Sequence, residues 1–133
     1  MLNVLQFIVN TIKNDATIQS YVADRVFPTG VDITPEAPKL FPLITFHTVS
    51  EITRTVPKGA RDSVYQIDAW SMLSQLEVEN IGERIIALLN FTQFHTGYGS
   101  TVLRWQREDA GTDMFEADRR IWHKTLRFRT WVK

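Results

Sequence analysis

VYQIDAWSMLSQLEVENIGERIIALL, residues 64–89, carries a strand that runs straight into a helix, and this junction decides the architecture. Along an alternating strand, Tyr65, Ile67 and Ala69 fall on one side and Val64, Gln66, Asp68 and Trp70 on the other. One face is therefore apolar and the other mixed. Ser74 and Glu77 have capping-box spacing, with a hydroxyl and a carboxylate placed to satisfy free amide donors of a first helical turn. In the helix that follows, Val78, Ile81, Ile85, Leu88 and Leu89 form one stripe, while Glu77, Glu79, Glu83 and Arg84 fall mostly elsewhere. Such a stripe needs a sheet to lie on.

Upstream, Val4, Leu5, Ile8, Val9 and Ile12 form a second stripe, which predicts a helix over about residues 3–13. Asp15 is placed to cap a short helical segment through Tyr21 and Val22, after which Arg25, Val26 and Phe27 read as extended before Pro28. Prolines 28, 35, 38 and 42, with Gly30, make an irregular connection. LITFHTV, residues 43–49, suits a strand that pairs with 64–70 across the polar loop 50–63 as a long hairpin. After a turn-rich stretch at 91–100, TVLRWQRE (101–108) and RRIWHKTLRFRTW (119–131) read as two more strands joined around Gly111. The expectation is one α+β domain over 1–133: a mainly antiparallel sheet of about four strands, two main helices packed on one face, and a long hairpin loop.

A chain of 133 residues is ordinary for a single domain. Lys and Arg balance Asp and Glu at zero net charge, so no general attraction to nucleic acid or to a membrane surface follows. Cysteine is absent, which removes disulfides, thiolate metal sites and cysteine nucleophiles together. The apolar opening LNVLQFIVNTI is short and interrupted by Asn3, Gln6 and Asn10; it reads as a helix rather than a signal or membrane span.

No phosphate-binding glycine loop, HExxH or serine-hydrolase elbow is present. His47, His95 and His123 lack the paired spacing that sets two metal ligands on one helix face, so no metal or cofactor is expected. Asp68 would serve as a general base if buried in a cleft; a strand position facing water is the plainer expectation. Asp109, Asp113, Glu116 and Asp118 do not follow the calcium-loop order and read as a solvated acidic loop.

Charge reverses abruptly near the C-terminus. Residues 108–118 hold five acids and no bases, and residues 119–133 hold six bases and no acids. Local cancellation in a hairpin, as exposed pairs worth about 0–1 kcal/mol each, is one account; a self-complementary protomer is the other. In the last strand Arg127, Arg129 and Trp131 share a face, with Lys124 interrupting the opposite, apolar one. Arg and Trp are enriched at interface hot spots, and a neutral domain without an RNA-binding signature favours protein over nucleic acid as partner. Arg54, Lys58 and Arg61, around Pro57 and Gly59, make the hairpin loop read either as a mobile arm or, equally, as an ordinary solvated loop.

The order of these pieces resembles the tail-completion, or tail-terminator, proteins of long-tailed bacteriophages. NDATIQSYVADRVFP (14–28) is similar to that family's short helix and Arg-aromatic-Pro strand end, and PEAPKLFPLITFHTVSE (35–51) to its proline-rich approach to the first long strand. Residues 64–89 resemble its strand, tryptophan and helix; DRRIWHKTLRFRTWV (118–132) resembles its last strand. Where a glycine or small hydrophobic residue is expected before the Asp-Arg pair, Ala23 stands.

The resemblance implies a virion protein of the tail or neck, assembled in the host cytoplasm, with no cofactor and no enzymatic activity. It would form a ring, typically of six copies, at the head-proximal end of the tail tube. Its partners would be copies of itself, the tail tube protein and the head-completion or connector protein. DNA would pass through the lumen without specific binding, and no membrane is involved. Arg54, Lys58, Arg61, Asp109, Asp113, Glu116, Asp118, Arg127, Arg129 and Trp131 are the candidate contact residues. The nearest alternative is another ring protein of the phage neck or tube. A small enzyme built on Asp68 and a histidine predicts a deep polar pocket, and a nucleic-acid module predicts salt-dependent binding.

Overall fold

The computed structural model describes residues 2–28, 41–53, 61–89, 94–95, 101–107, 112–117 and 120–132. Helix α1 (Leu2–Lys13) and helix α2 (Ala16–Val22) precede strands β1 (Val26–Pro28), β2 (Leu43–Thr53) and β3 (Arg61–Ser71). Helix α3 (Gln75–Leu89) follows, then β4 (Phe94–His95), β5 (Thr101–Arg107), β6 (Thr112–Glu116) and β7 (Ile121–Val132). The architecture is α+β, with the four expected long strands at β2, β3, β5 and β7. Three short strands join them, so the described sheet has seven, in the order β1-β2-β3-β7-β5-β4, with β6 also on β7.

The β2–β3 hairpin is longer than the sequence suggests. Its pairing runs from Leu43↔Trp70 to Thr53↔Arg61, with a register shift between Thr48 and Ser50. Strand pairing thus takes up both ends of the polar segment 50–63. Strand β7 is central: β3 pairs along one side from Arg61↔Val132 to Ser71↔Trp122. Its other side is shared, β5 taking Val132 to Phe128 and β6 taking Thr125 to Ile121. Asp113 and Glu116 accordingly lie in a strand, not in a loop between strands, and a turn at Ala117 and Arg120 leads into β7. The β6 stretch escapes an alternation-based reading because neither of its faces is apolar throughout.

Local chemistry explains the helices. Asp15 caps α2 by accepting a hydrogen bond from the Ile18 amide at 3.0 Å. Ala23 ends that helix at φ 54°, a conformation open to glycine and strained for alanine. Ahead of α3, Ser74 Oγ accepts from the Glu77 amide at 3.2 Å, which is half of the expected capping box. The other half is relayed through Ser71: its hydroxyl donates to Glu77 Oε1 at 2.7 Å and accepts from the Leu73 amide at 2.9 Å. Among the described residues, no helix is long and apolar enough to cross a membrane.

The three described helices pack on one face. The main core joins Ile8 and Ile12 of α1, Ile18 and Val22 of α2, and Val78, Ile81, Ile85 and Leu89 of α3 to Ile44, Tyr65, Ile67, Ala69, Leu126 and Phe128 of the sheet. Each fully buried aliphatic contributes about 1.5–3 kcal/mol of transfer free energy. A smaller cluster on the other face, Leu43, Trp70 and Ile121, closes one end of the sheet with Phe27, Phe41 and Met72 against it.

Candidate functional site

The face of β3 and β7 turned away from the described helices carries a run of polar side chains. Its residues meet because the register sets Trp70 beside His123, Asp68 beside Thr125 and Gln66 beside Arg127. Asp68 is only 3% exposed, which corrects the water-facing expectation. Alternation along one strand says nothing of the cross-strand neighbours, and those enclose it. Asp68 Oδ1 lies 3.0 Å from His123 Nε2, and Gln66 Nε2 donates to Oδ1 and Oδ2 at 3.2 and 3.0 Å. Burial pushes the Asp68 carboxyl up, but hydrogen bonds with His123, Gln66 and Thr125 outweigh it and hold it below its ordinary value.

The network extends in both directions. Arg127 Nε donates to Gln66 Oε1 at 3.0 Å, and Arg129 Nε donates to the buried Asp62 Oδ1 at 2.9 Å. The His123 ring stacks on Trp70 at 3.7 Å between centroids, 6° from parallel, and Trp70 Nε1 donates to Thr45 Oγ1 at 3.0 Å.

This geometry does not build a nucleophile. A hydroxyl–imidazole–carboxylate relay uses opposite ring nitrogens, whereas Asp68 Oδ1 and Thr125 Oγ1 both approach Nε2, at 3.0 and 3.1 Å. Among the described residues Nδ1 is buried without a hydrogen-bond partner, with Glu116 Oε1 3.9 Å away. Among the described residues two grooves lie elsewhere. One of about 290 Å³ is lined by Phe41, Pro42, Met72, Leu73 and Glu77, and one of about 450 Å³ by Leu5, Gln6, Val9, Asn10 and Phe46. Neither includes Asp68 or His123. Among the described residues, no group of three or more histidines and carboxylates could hold a metal ion.

On the opposite face, Lys124 does not simply interrupt the apolar side of β7; it is buried at 5% exposure. Its Nζ donates to Asp113 Oδ1 at 3.1 Å and Glu79 Oε1 at 3.2 Å, tying β6 and α3 to β7. Its aliphatic stem runs over Gly82, where an added Cβ would clash with Lys124 Cδ and Cε. Burial pulls the lysine down, but its bonds and charge pairing with both carboxylates push it up on balance. The two acids part: Asp113 pushes Glu79 up, while the bonds to Asp113 from Glu79, Gln75 and Lys124 overcome its burial and bring it down.

Of the candidate contact residues, Arg54, Lys58, Asp109 and Asp118 lie outside the described residues. Arg61 opens β3 opposite Thr53, and Trp131 pairs in register with Asp62 and Arg104. Asp113 is committed to Lys124, and Glu116 lies beside His123. Arg127 is exposed on the polar face; Arg129 shares that face but is drawn to Asp62. The acidic and basic runs therefore meet within the chain at Asp113–Lys124. Sequence reading misses this network and the Lys124 lock. A glycine inside the apolar stripe of α3 and a lysine inside that of β7 were the signal, since each makes room for the other.

No family model matches the sequence, and no curated protein matches it. The fold, however, is shared. A chain from a solved structure described as the virion of a native gene transfer agent particle superposes with a TM-score of 0.70 at 11% identity, covering 94% of this chain and 90% of that one.

Proposed function

We propose that this protein is a structural subunit of a phage-like virion, of the tail-terminator type. Copies of it form a ring of six at the head-proximal end of the tail tube, halt tube growth and present the docking surface for the head connector. The observation that carries this reading is the fold shared with a gene transfer agent virion chain over 94% of the length. The order of pieces that resembles the tail-terminator family spans nearly the same length.

The chemistry of the site agrees. The Asp68–His123 pair is sealed between Trp70, Gln66 and Thr125 and serves to align β3 with β7, which suits a protein that works by contact. A ring needs a head-to-tail interface with two unlike, complementary surfaces on each protomer; with Asp113 paired to Lys124 inside the chain, the exposed Arg127 of β7 and the exposed Glu83 of α3 are unlike charges available on separate faces. The partners are copies of this chain, the tail tube protein and the connector, with DNA passing through the lumen.

Antibody labelling of intact virions tests the position. One labelled point per particle, where head meets tail, is expected. Label along the whole tube would make the chain a tube subunit instead, and unlabelled particles would remove it from the virion.

A further inference from the structure

Of the five large apolar side chains exposed among the described residues, Met114 alternates with His123 to the polar face and Leu73 lines the groove with Phe41 and Met72, whereas Leu76 and Phe115 come together on the helical side at one end of the sheet. Register and contacts bring them there. Ser71, which ends β3, pairs with Trp122; Trp122 pairs with Phe115, their rings 4.8 Å apart; and Gln75 Nε2 at the start of α3 donates to Asp113 Oδ2 at 3.1 Å. Leu76 is 68% and Phe115 48% exposed. Isolated apolar residues on a surface need no explanation, but an adjoining exposed pair beside charged positions offers apolar area to a partner.

Strand β6 makes this end receptive. Among the described residues it pairs only with β7, which leaves its other edge without a described strand partner. The sequence TDMFE lacks the lysine or proline with which proteins commonly protect such an edge. The edge is also held rigid, because Asp113 is pinned by Lys124 and Gln75. Beside it, Leu76, Glu79 and Glu83 recur at i, i+3 and i+7 and so line one side of α3. That is the side facing β6, as the shared Lys124 shows. The strip is apolar at the Leu76 and Phe115 end and carries the exposed Glu83 two turns further along α3.

The complementary surface is on the same chain. Arg127 stands exposed on the polar face of β7, beside Arg129, and residues 119–133 contain no acid. Arginine suits this strip: its stem covers apolar surface while its guanidinium pairs with carboxylates. We infer that the strip formed by Leu76, Phe115 and Glu83 receives the Arg127 face of a second copy of this chain. The contact joins two unlike surfaces, as ring closure requires, and it rests on the proposed ring by naming its interface.

Sedimentation of the purified chain tests this without virions. The wild type should self-associate, and the double variant Leu76→Lys, Phe115→Lys should weaken association about tenfold or more while keeping its circular dichroism. Arg127→Glu and Glu83→Arg should each fail to self-associate, since each sets like charges face to face. Mixed in equal amounts they should associate with one another, because both contacts are again complementary; a folding defect would not give this rescue. A wild type still monomeric at about 1 mM, where even a weak contact registers, overturns the inference. So does association indifferent to the lysine pair, or a mixture no stickier than its parts. Failure here leaves antibody labelling at the neck unaffected, whereas unlabelled virions with intact self-association would sink the function and spare the interface.

Discussion

Asp68 illustrates how little a residue's own strand reveals about its surroundings. Its alternation partner set is legible from the sequence; the residues that bury it, His123 and Thr125, are 55 and 57 positions away and arrive only through register. Removing the carboxylate with Asp68→Ala strands Gln66 and His123 donors and should cost about 2–3 kcal/mol in chemical denaturation. The pH dependence has a definite sign. A carboxyl held below its unfolded value contributes stability that is complete above the unfolded pKa and lost as pH falls through the folded one. Wild-type stability should therefore drop below about pH 4, and that of Asp68→Asn should drop less steeply; equal slopes would deny Asp68 its part. Ala23 offers a gain in the other direction. Relief of its positive φ makes Ala23→Gly stabilising by about 1 kcal/mol, or about 3–5 °C in thermal melting. A lowered melting temperature would contradict the strain.

At the scale of elements, the sequence is a good guide where burial is one-sided and a poor one where polar contacts decide. The stripes of α1 and α3 and the hairpin of β2 and β3 emerge because apolar periodicity records which face meets the core. β6 stays hidden, since its residues Asp113 and Phe115 owe their places to Lys124 and Trp122 rather than to any pattern of their own. The Lys124 lock makes a prediction whose sign depends on background. Helix propensity alone says that Gly82→Ala should stabilise α3 by about 1 kcal/mol. With Lys124 in place the new methyl would displace the lysine stem from Glu79 and Asp113, and the variant should instead lose about 1–2 kcal/mol. In a Lys124→Ala background the same substitution should stabilise. A double-mutant cycle in denaturant checks this, and additivity would mean that Gly82 and Lys124 are independent.

For the whole molecule, the two faces of the sheet have separate duties. The helical face supplies the core, and the other carries a polar ladder ending in Arg127 and Arg129. These arginines are not equivalent: Arg129 neutralises the buried Asp62, while Arg127 bonds only a neutral glutamine among its described contacts. Reversing both to Glu should abolish assembly, but Arg127→Glu alone is the cleaner probe of contact, expected to fold normally and yield few infectious particles. Normal yield from the double variant would refute the role of both. The charge segregation behind this account is plain in the sequence; that Asp113 is consumed internally while Leu76 and Phe115 stay exposed is not, since exposure depends on which elements adjoin. The most direct measurement is electron microscopy of particles assembled without this protein. Termination by a ring predicts overlong tails separated from filled heads, whereas intact particles with tails of normal length would contradict it.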